Sequence, residues 1–136
     1  MLRLLDTCTV SDVVCGVEPV LRRLKATSPA SLAVSSVTVM EVEYGLALRP
    51  EVARQARPLL TDLFRALTVA PYETLDAEQT AELRARLRRA GTPIGAYDAL
   101  IAGTALAHGW VLVTSNTGEF ARVPGLQLED WRLPER

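Results

Sequence analysis

The chain has one histidine, one lysine and two cysteines among 136 residues, and aromatic residues make up 5%. Each scarcity removes a class of chemistry. Cys8 and Cys15 cannot make a disulfide framework; both sit among apolar neighbours and read as buried structural thiols. A cysteine-based phosphatase needs an arginine at a fixed short distance, and the step from Cys15 to Arg22 is one residue too long. The single His108, with no cysteine partners, offers no zinc set, and reads as a helix C-terminal residue meeting the dipole. Lys25 lies too early for a phospho-receiver domain, which needs a lysine near its last strand. Cys8 stands where a haloacid-dehalogenase-type phosphatase needs aspartate. The stretch from Thr7 to Ser11 has no glycine for a flavodoxin-like phosphate loop. Few aromatics predict an aliphatic core. No run approaches the roughly 20 apolar residues of a membrane span. Met1 to Leu5 is too short for a signal peptide, and Asp6 ends it, so the expected location is the cytoplasm. The net charge of -1 shows no basic excess, although charge can still be segregated on the surface.

The hydrophobic fraction of 49% and the charged fraction of 23% fit a folded domain, taken here as residues 1–136. Strand-like and helix-like segments alternate. Leu2 to Leu5, Leu32 to Val37, Leu67 to Ala70 and Val111 to Thr114 read as strands, with Leu126 to Leu128 as a last edge strand. Helical patterns cover Val10 to Val14, Glu18 to Ala26, Thr38 to Leu48, Glu51 to Leu67 (kinked or broken at Pro58), Asp76 to Ala90 and the stretch from Ala96 to Gly109. Asn116 to Ala121 reads as a helical turn. The alternation predicts an α/β domain: a mostly parallel, twisted sheet of about four or five strands with helices on both faces. Ligands of such sheets bind beyond the carboxyl ends of the strands.

Acidic and amide residues fall at that edge. Asp6 follows the first strand and can cap the next helix, as can Thr7. Thr38 and Glu41 have the spacing of a capping box, as do Asn116 and Glu119. Asp98 lies in the first turn of an otherwise apolar helix, where it complements the macrodipole; Tyr97 or Thr92 could also satisfy it. Each has an ordinary explanation alone. Together they put three or four acids at one edge of one sheet, where like charges repel unless a cation intervenes. Carboxylate oxygens with water suit Mg²⁺ or Mn²⁺.

The segments LLDTCTV, SSVTVMEVEYGL, PIGAYDALIAGTAL and WVLVTSNTGEFARVPGL resemble, in that order, the PIN-domain ribonucleases, and among them the VapC toxins of toxin–antitoxin pairs. The likeness runs from Leu4 to Trp131. It implies a single PIN-like domain and a metal-dependent endoribonuclease toxin that cuts structured or single-stranded-loop RNA, tRNA or rRNA, and so inhibits translation. By position, the resemblance assigns catalytic roles to Asp6, Glu41, Asp98 and Glu119. Asp6, Asp98 and Glu119 would hold Mg²⁺ (or Mn²⁺), with Glu41 either a ligand or a base. Thr7, Thr114 and Asn116 would support the site, Asn116 standing where relatives often carry aspartate. Implied partners are a VapB-like antitoxin, the RNA substrate and a second copy of the chain. A non-catalytic PIN-like module that only binds RNA or protein is the alternative.

Two surface features go with this reading. Arg84 and Arg88 share one helix stripe, and form either a solvated face or an RNA-contacting rim. Val13, Val14, Val17 and Leu21 either belong to the core or line a groove for an antitoxin tail.

Overall fold

The computed structural model describes residues 2–134; Met1 and the last two residues of the expected 1–136 domain lie outside the described residues. Its strands are β1 (Arg3–Leu5), β2 (Leu32–Ser35), β3 (Thr68–Ala70), β4 (Val111–Val113) and β5 (Leu128–Glu129). They form one sheet in the order β3-β2-β1-β4-β5, and every pairing is parallel. The helices are α1 (Thr7–Val14), α2 (Glu18–Ala26), α3 (Ser36–Leu48), α4 (Pro50–Ala66), α5 (Thr74–Arg89), α6 (Ala96–His108) and α7 (Thr117–Phe120). The expected α/β architecture is what forms.

Successive strand residues face opposite sides of the sheet. Here register makes each side uniform. Leu5 lies between Val34 and Val113, while Leu4 lies between Ala33 and Leu112. The Leu5 side packs on Val10 of α1, Val20 of α2, Leu46 of α3 and Leu60 of α4. The Leu4 side packs on Leu83 of α5, Ile101 of α6 and Phe120 of α7. Burial on both faces explains why the short strands read as continuous apolar runs. Among the described residues the fully buried core is aliphatic apart from Trp131 in one half and Phe120 in the other, with Phe64, Tyr72 and Trp110 packed at its margins.

Several boundaries and burials differ from expectation. β2 ends at Ser35, because its hydroxyl accepts from the Val37 N–H at 3.0 Å and caps α3. Thr38 is therefore inside the helix, and no Thr38–Glu41 capping box forms. α4 runs through the exposed Pro58 without a break. Cys8 and Cys15 are exposed rather than buried, since α1 turns Thr9, Val10, Asp12 and Val13 inward. Val13 is core, Val17 and Leu21 are partly buried against it, and of this set only Val14 also lines an open groove, between α1, α3 and α4. His108 ends α6 as expected; its Nε2 lies 3.2 Å from Asp76 Oδ1 and its ring stacks on Trp110. Among the described residues no helix is long and apolar enough to cross a membrane.

Candidate active site

The chain moves outward from β1 through β2 to β3, then returns to place β4 on the other side of β1. This reversal opens a crevice beyond the carboxyl ends of β1 and β4, the usual ligand position in such sheets. Asp6 sits there. Its N–H donates to the Val113 carbonyl at 3.1 Å, and its Oδ1 accepts from the Thr9 N–H at 2.8 Å. Asp6 thus caps α1, as the simplest reading of the sequence has it. Capping leaves carboxylate lone pairs over, and the Thr114 hydroxyl also bonds this group. Burial raises the Asp6 pKa against these bonds.

The β2–α3 turn carries the chain to Glu41. Thr7 Oγ1 donates to Glu41 Oε1 at 2.7 Å, so the residue after Asp6 holds the second acid. The fully buried Thr38 hydroxyl stands 3.4 Å from Thr7 Oγ1. Thr7 has one proton to give, and a bond donated by Thr38 leaves it free for Glu41. Thr38 was expected only as a cap; its contact with Thr7 depends on folding and has no local signal.

α6 descends to the start of β4, so its N-terminus lies at the crevice with Asp98 in its first turn. Asp98 is half-buried and caps nothing: Gly95, at the N-cap, has no capping side chain. Its pKa is pushed up to about 6, chiefly by burial, then by the charges of Glu119, Glu41 and Asp6. Its partner is Glu119, not Tyr97 or Thr92.

Glu119 Oε1 accepts from the Gly95 N–H at 2.7 Å, and Oε2 accepts from Asn116 Nδ2 at 2.7 Å. The Gly95 bond is the main cause of its lowered pKa. The Asn116 N–H donates to Thr114 Oγ1 at 2.9 Å. Asn116 therefore spends its side chain on Glu119 instead of forming the expected capping box. In this coupled pair Asp98 is the group that takes up a proton first as pH falls, and Glu119 the one that stays charged longest. Gly95 contributes through its backbone, which sequence patterns do not reveal.

These donors fit a hard divalent cation: they are oxygens from carboxylates, hydroxyls and an amide, with no imidazole. Cys8, exposed but with its thiol partly covered, lies near enough to feel Asp6, Asp98 and Glu41; that partial desolvation and those charges push the thiol up to about 11, so it stays protonated. Among the described residues no three His, Cys, Asp or Glu side chains stand close enough to enclose an ion. A hard cation here would have to be completed by water and substrate phosphate, as Mg²⁺ is when it takes one or two carboxylates.

Behind the site, the buried Asp12 pairs with Arg132, whose Nε donates to Asp12 Oδ2 at 2.8 Å. No pattern in the sequence singles out either residue. Arg84 and Arg88 are exposed on α5, beside Leu87, Pro93 and Ile94.

A family model described as PIN domain matches residues 3–126. The tRNA(fMet)-specific endonuclease VapC of Salmonella typhimurium is 37% identical over 130 residues, covering 94% of this chain and 96% of that protein. Its namesake in Shigella flexneri is 39% identical over 100 residues, 74% of this chain and 75% of that one. Among solved structures, DNA-bound VapBC from Salmonella typhimurium matches with a TM-score of 0.87 and 37% identity, over 96% of this chain and 99% of that one. VapBC2 from Rickettsia felis, bound to a DNA fragment from its promoter, gives 0.88 and 28% over the same shares.

Proposed function

The chain belongs to the PIN-domain family, and from that premise we propose that it is a VapC-type endoribonuclease toxin. It would depend on Mg²⁺ or Mn²⁺ and cut structured or loop RNA, with tRNA or rRNA as the target whose loss stops translation. The observation that carries this reading is the convergence of Asp6, Glu41, Asp98 and Glu119, from four separate segments, at the switch point of the sheet. Asp98 registers this crowding: burial first, and then the charges of Glu119, Glu41 and Asp6, push its pKa up to about 6. Relatives named as tRNA(fMet)-specific endonucleases support tRNA as the substrate class.

In this proposal Asp6, Asp98 and Glu119 would draw in around the cation together with water and substrate phosphate, since without it no three of the described acids stand close enough to enclose one. A bound divalent ion supplies neutralisation of phosphate charge and a more acidic water. Glu41, anchored by Thr7, is placed to ligate or to accept a proton from the attacking water. Thr114 steadies both Asp6 and the Asn116 backbone, and Asn116 orients Glu119. The regulating partner is a VapB-like antitoxin, as in the VapBC neighbours; the proposal also takes the active form to be a homodimer. Cytoplasmic location follows from this role.

The test is cleavage of purified tRNA by the pure chain with Mg²⁺ or Mn²⁺. We expect discrete cuts that disappear with EDTA, and a loss of at least about a hundredfold in Asp98→Asn or Asp6→Asn. RNA binding without cutting, in any metal, would instead identify a non-catalytic binding module.

A further inference from the structure

The two sides of α5 differ in a way the acid cluster does not explain. On one side Arg86 and Arg89 share their surface with Glu82. On the other, Arg84 and Arg88 stand one turn apart over Leu87, Pro93 and Ile94, and among the described residues no acid lines the space. That space is an open groove of about 620 Å³. It has the size of sites that take a small-molecule-sized group, and its apolar floor with charged walls is their usual make-up.

The groove is joined to the active site through the chain. Ile94 is followed by Gly95, whose N–H holds Glu119 at 2.7 Å. The Pro93 carbonyl accepts from Arg122 Nη1 at 2.9 Å, and Arg122 also lowers the Glu119 pKa. The corner itself is fixed. Thr92 N–H donates to the Leu87 carbonyl at 2.9 Å and Gly91 N–H to the Arg88 carbonyl at 3.1 Å, with Gly91 at φ 72°. This is the Schellman ending of a helix, and it turns Pro93 and Ile94 back beside the arginines.

We propose that the Arg84–Arg88 groove is a nucleotide subsite, taking an unstacked base and its phosphate from the RNA strand beside the bond cut at the acid cluster. The proposal rests on the ribonuclease reading and adds where the flanking strand lies. Guanidinium groups bind phosphate bidentately and also stack on bases, so one pair can meet both parts of a nucleotide. Leu87, Pro93 and Ile94 supply the apolar floor beneath the base. Recognition of single-stranded RNA uses this combination of positive walls and a stacking surface.

The probe is a fluorescein-labelled single-stranded RNA about ten nucleotides long. Its binding to the cleavage-inactive Asp98→Asn chain is measured across a salt series. Adding Arg84→Glu and Arg88→Glu should weaken binding at least about tenfold. It should also flatten the slope of log K against log salt by about 1.4, or about 0.7 for each phosphate no longer neutralised. Ile94→Ala should weaken binding and leave the slope unchanged. In the otherwise parent chain these changes should raise KM and leave kcat nearly intact. The arginines are exposed, so an unshifted melting temperature shows that the fold is kept. If the parent chain cuts RNA and the double variant binds it with unchanged affinity and slope, the groove is not an RNA site. If weaker binding tracks dissociation of a dimer on sizing, the groove is an interface between copies, which also overturns the proposal. If the parent chain neither binds nor cuts RNA, the ribonuclease reading falls and this inference with it.

Discussion

Asp98 bears the cost of the site. Its carboxyl is pushed up to about 6 from an ordinary 3.8 by burial and by Glu119, Glu41 and Asp6. The folded state therefore binds this proton more tightly than the unfolded chain does. The stability it contributes is fully present below about pH 4 and is lost as pH rises through about 6. Asp6, also raised, acts in the same direction, while the lowered Glu119 acts in the opposite one. Half-exposure and screening keep the Asp98 effect near about 1 kcal/mol. In EDTA at pH 7, Asp98→Asn should raise the melting temperature by about 3 °C, and should lose much of the parent's decline between pH 4 and 7. Divalent cation should reverse the order. At about a hundred times its Kd, a native-state ligand adds about 2.7 kcal/mol, and Asp98→Asn should gain far less. Melts of both chains with EDTA, Mg²⁺ and Mn²⁺ decide this; equal response by the two would remove Asp98 from the metal site. Asn116 gives the complementary case. Its amide donates to Glu119, so Asn116→Asp exchanges that bond for a further negative charge. The metal-free variant should melt lower than the parent and bind Mn²⁺ more tightly in calorimetry.

α6 shows what an element must satisfy beyond its periodicity. Its sequence is dominated by small residues because α5 lies close against it. A Cβ added at Gly103 would meet Thr80 Oγ1 at 2.0 Å and the Thr80 Cα at 3.1 Å. The nearer atom belongs to a short side chain, itself bonded to the Asp76 carbonyl and Tyr72 hydroxyl, and the farther one is backbone. Neither can step aside cheaply. Gly103→Ala should destabilise the protein by about 2–3 kcal/mol in urea unfolding, the usual scale of overpacking. Thr80→Ala in the same chain should recover part of that loss, and strict additivity of the two changes would refute the contact. The helix itself was legible from its apolar run and from Gly109, which sits at φ 67° beyond its last turn. The spacing between helices was not, since a glycine in a helix looks alike whether it is exposed or pressed against a neighbour. The β2–α3 boundary was misplaced for a related reason. Val37 suits a strand by propensity, and only the Ser35 hydroxyl, bonded two residues on, shows the helix beginning earlier.

At the scale of the whole molecule, the parallel sheet was legible because strand-like and helix-like segments alternate, and the acids because they follow the strands. Long-range partners left no such trace. Asp12 and Arg132 meet across 120 residues of sequence, and Gly95 reaches Glu119 through its backbone alone. Of the residues expected to face an antitoxin, Val13 belongs to the core and Val14 alone reaches a groove. Exposed apolar side chains lie elsewhere: Tyr44 and Leu48 are each 64% exposed, and Val52 is 38% exposed. A groove of about 320 Å³ between α1, α3 and α4 is lined by Val14, Val42, Leu48 and Val52, and it ends at Thr7 and Glu41. An antitoxin tail lying there with its apolar face down would bring its next residues to the acid cluster. A basic side chain at that point would bond carboxylates that otherwise repel one another. We therefore expect a VapB-like antitoxin to inhibit cleavage by the parent chain. Leu48→Asp with Val52→Asp should weaken that inhibition at least about tenfold, since two charges would face the apolar tail. Cleavage without antitoxin should be unchanged, because neither residue touches the acids. Titrating antitoxin into a fixed amount of enzyme reads both quantities at once. Full inhibition of the double variant at the parent's stoichiometry would move the antitoxin to another face of the molecule.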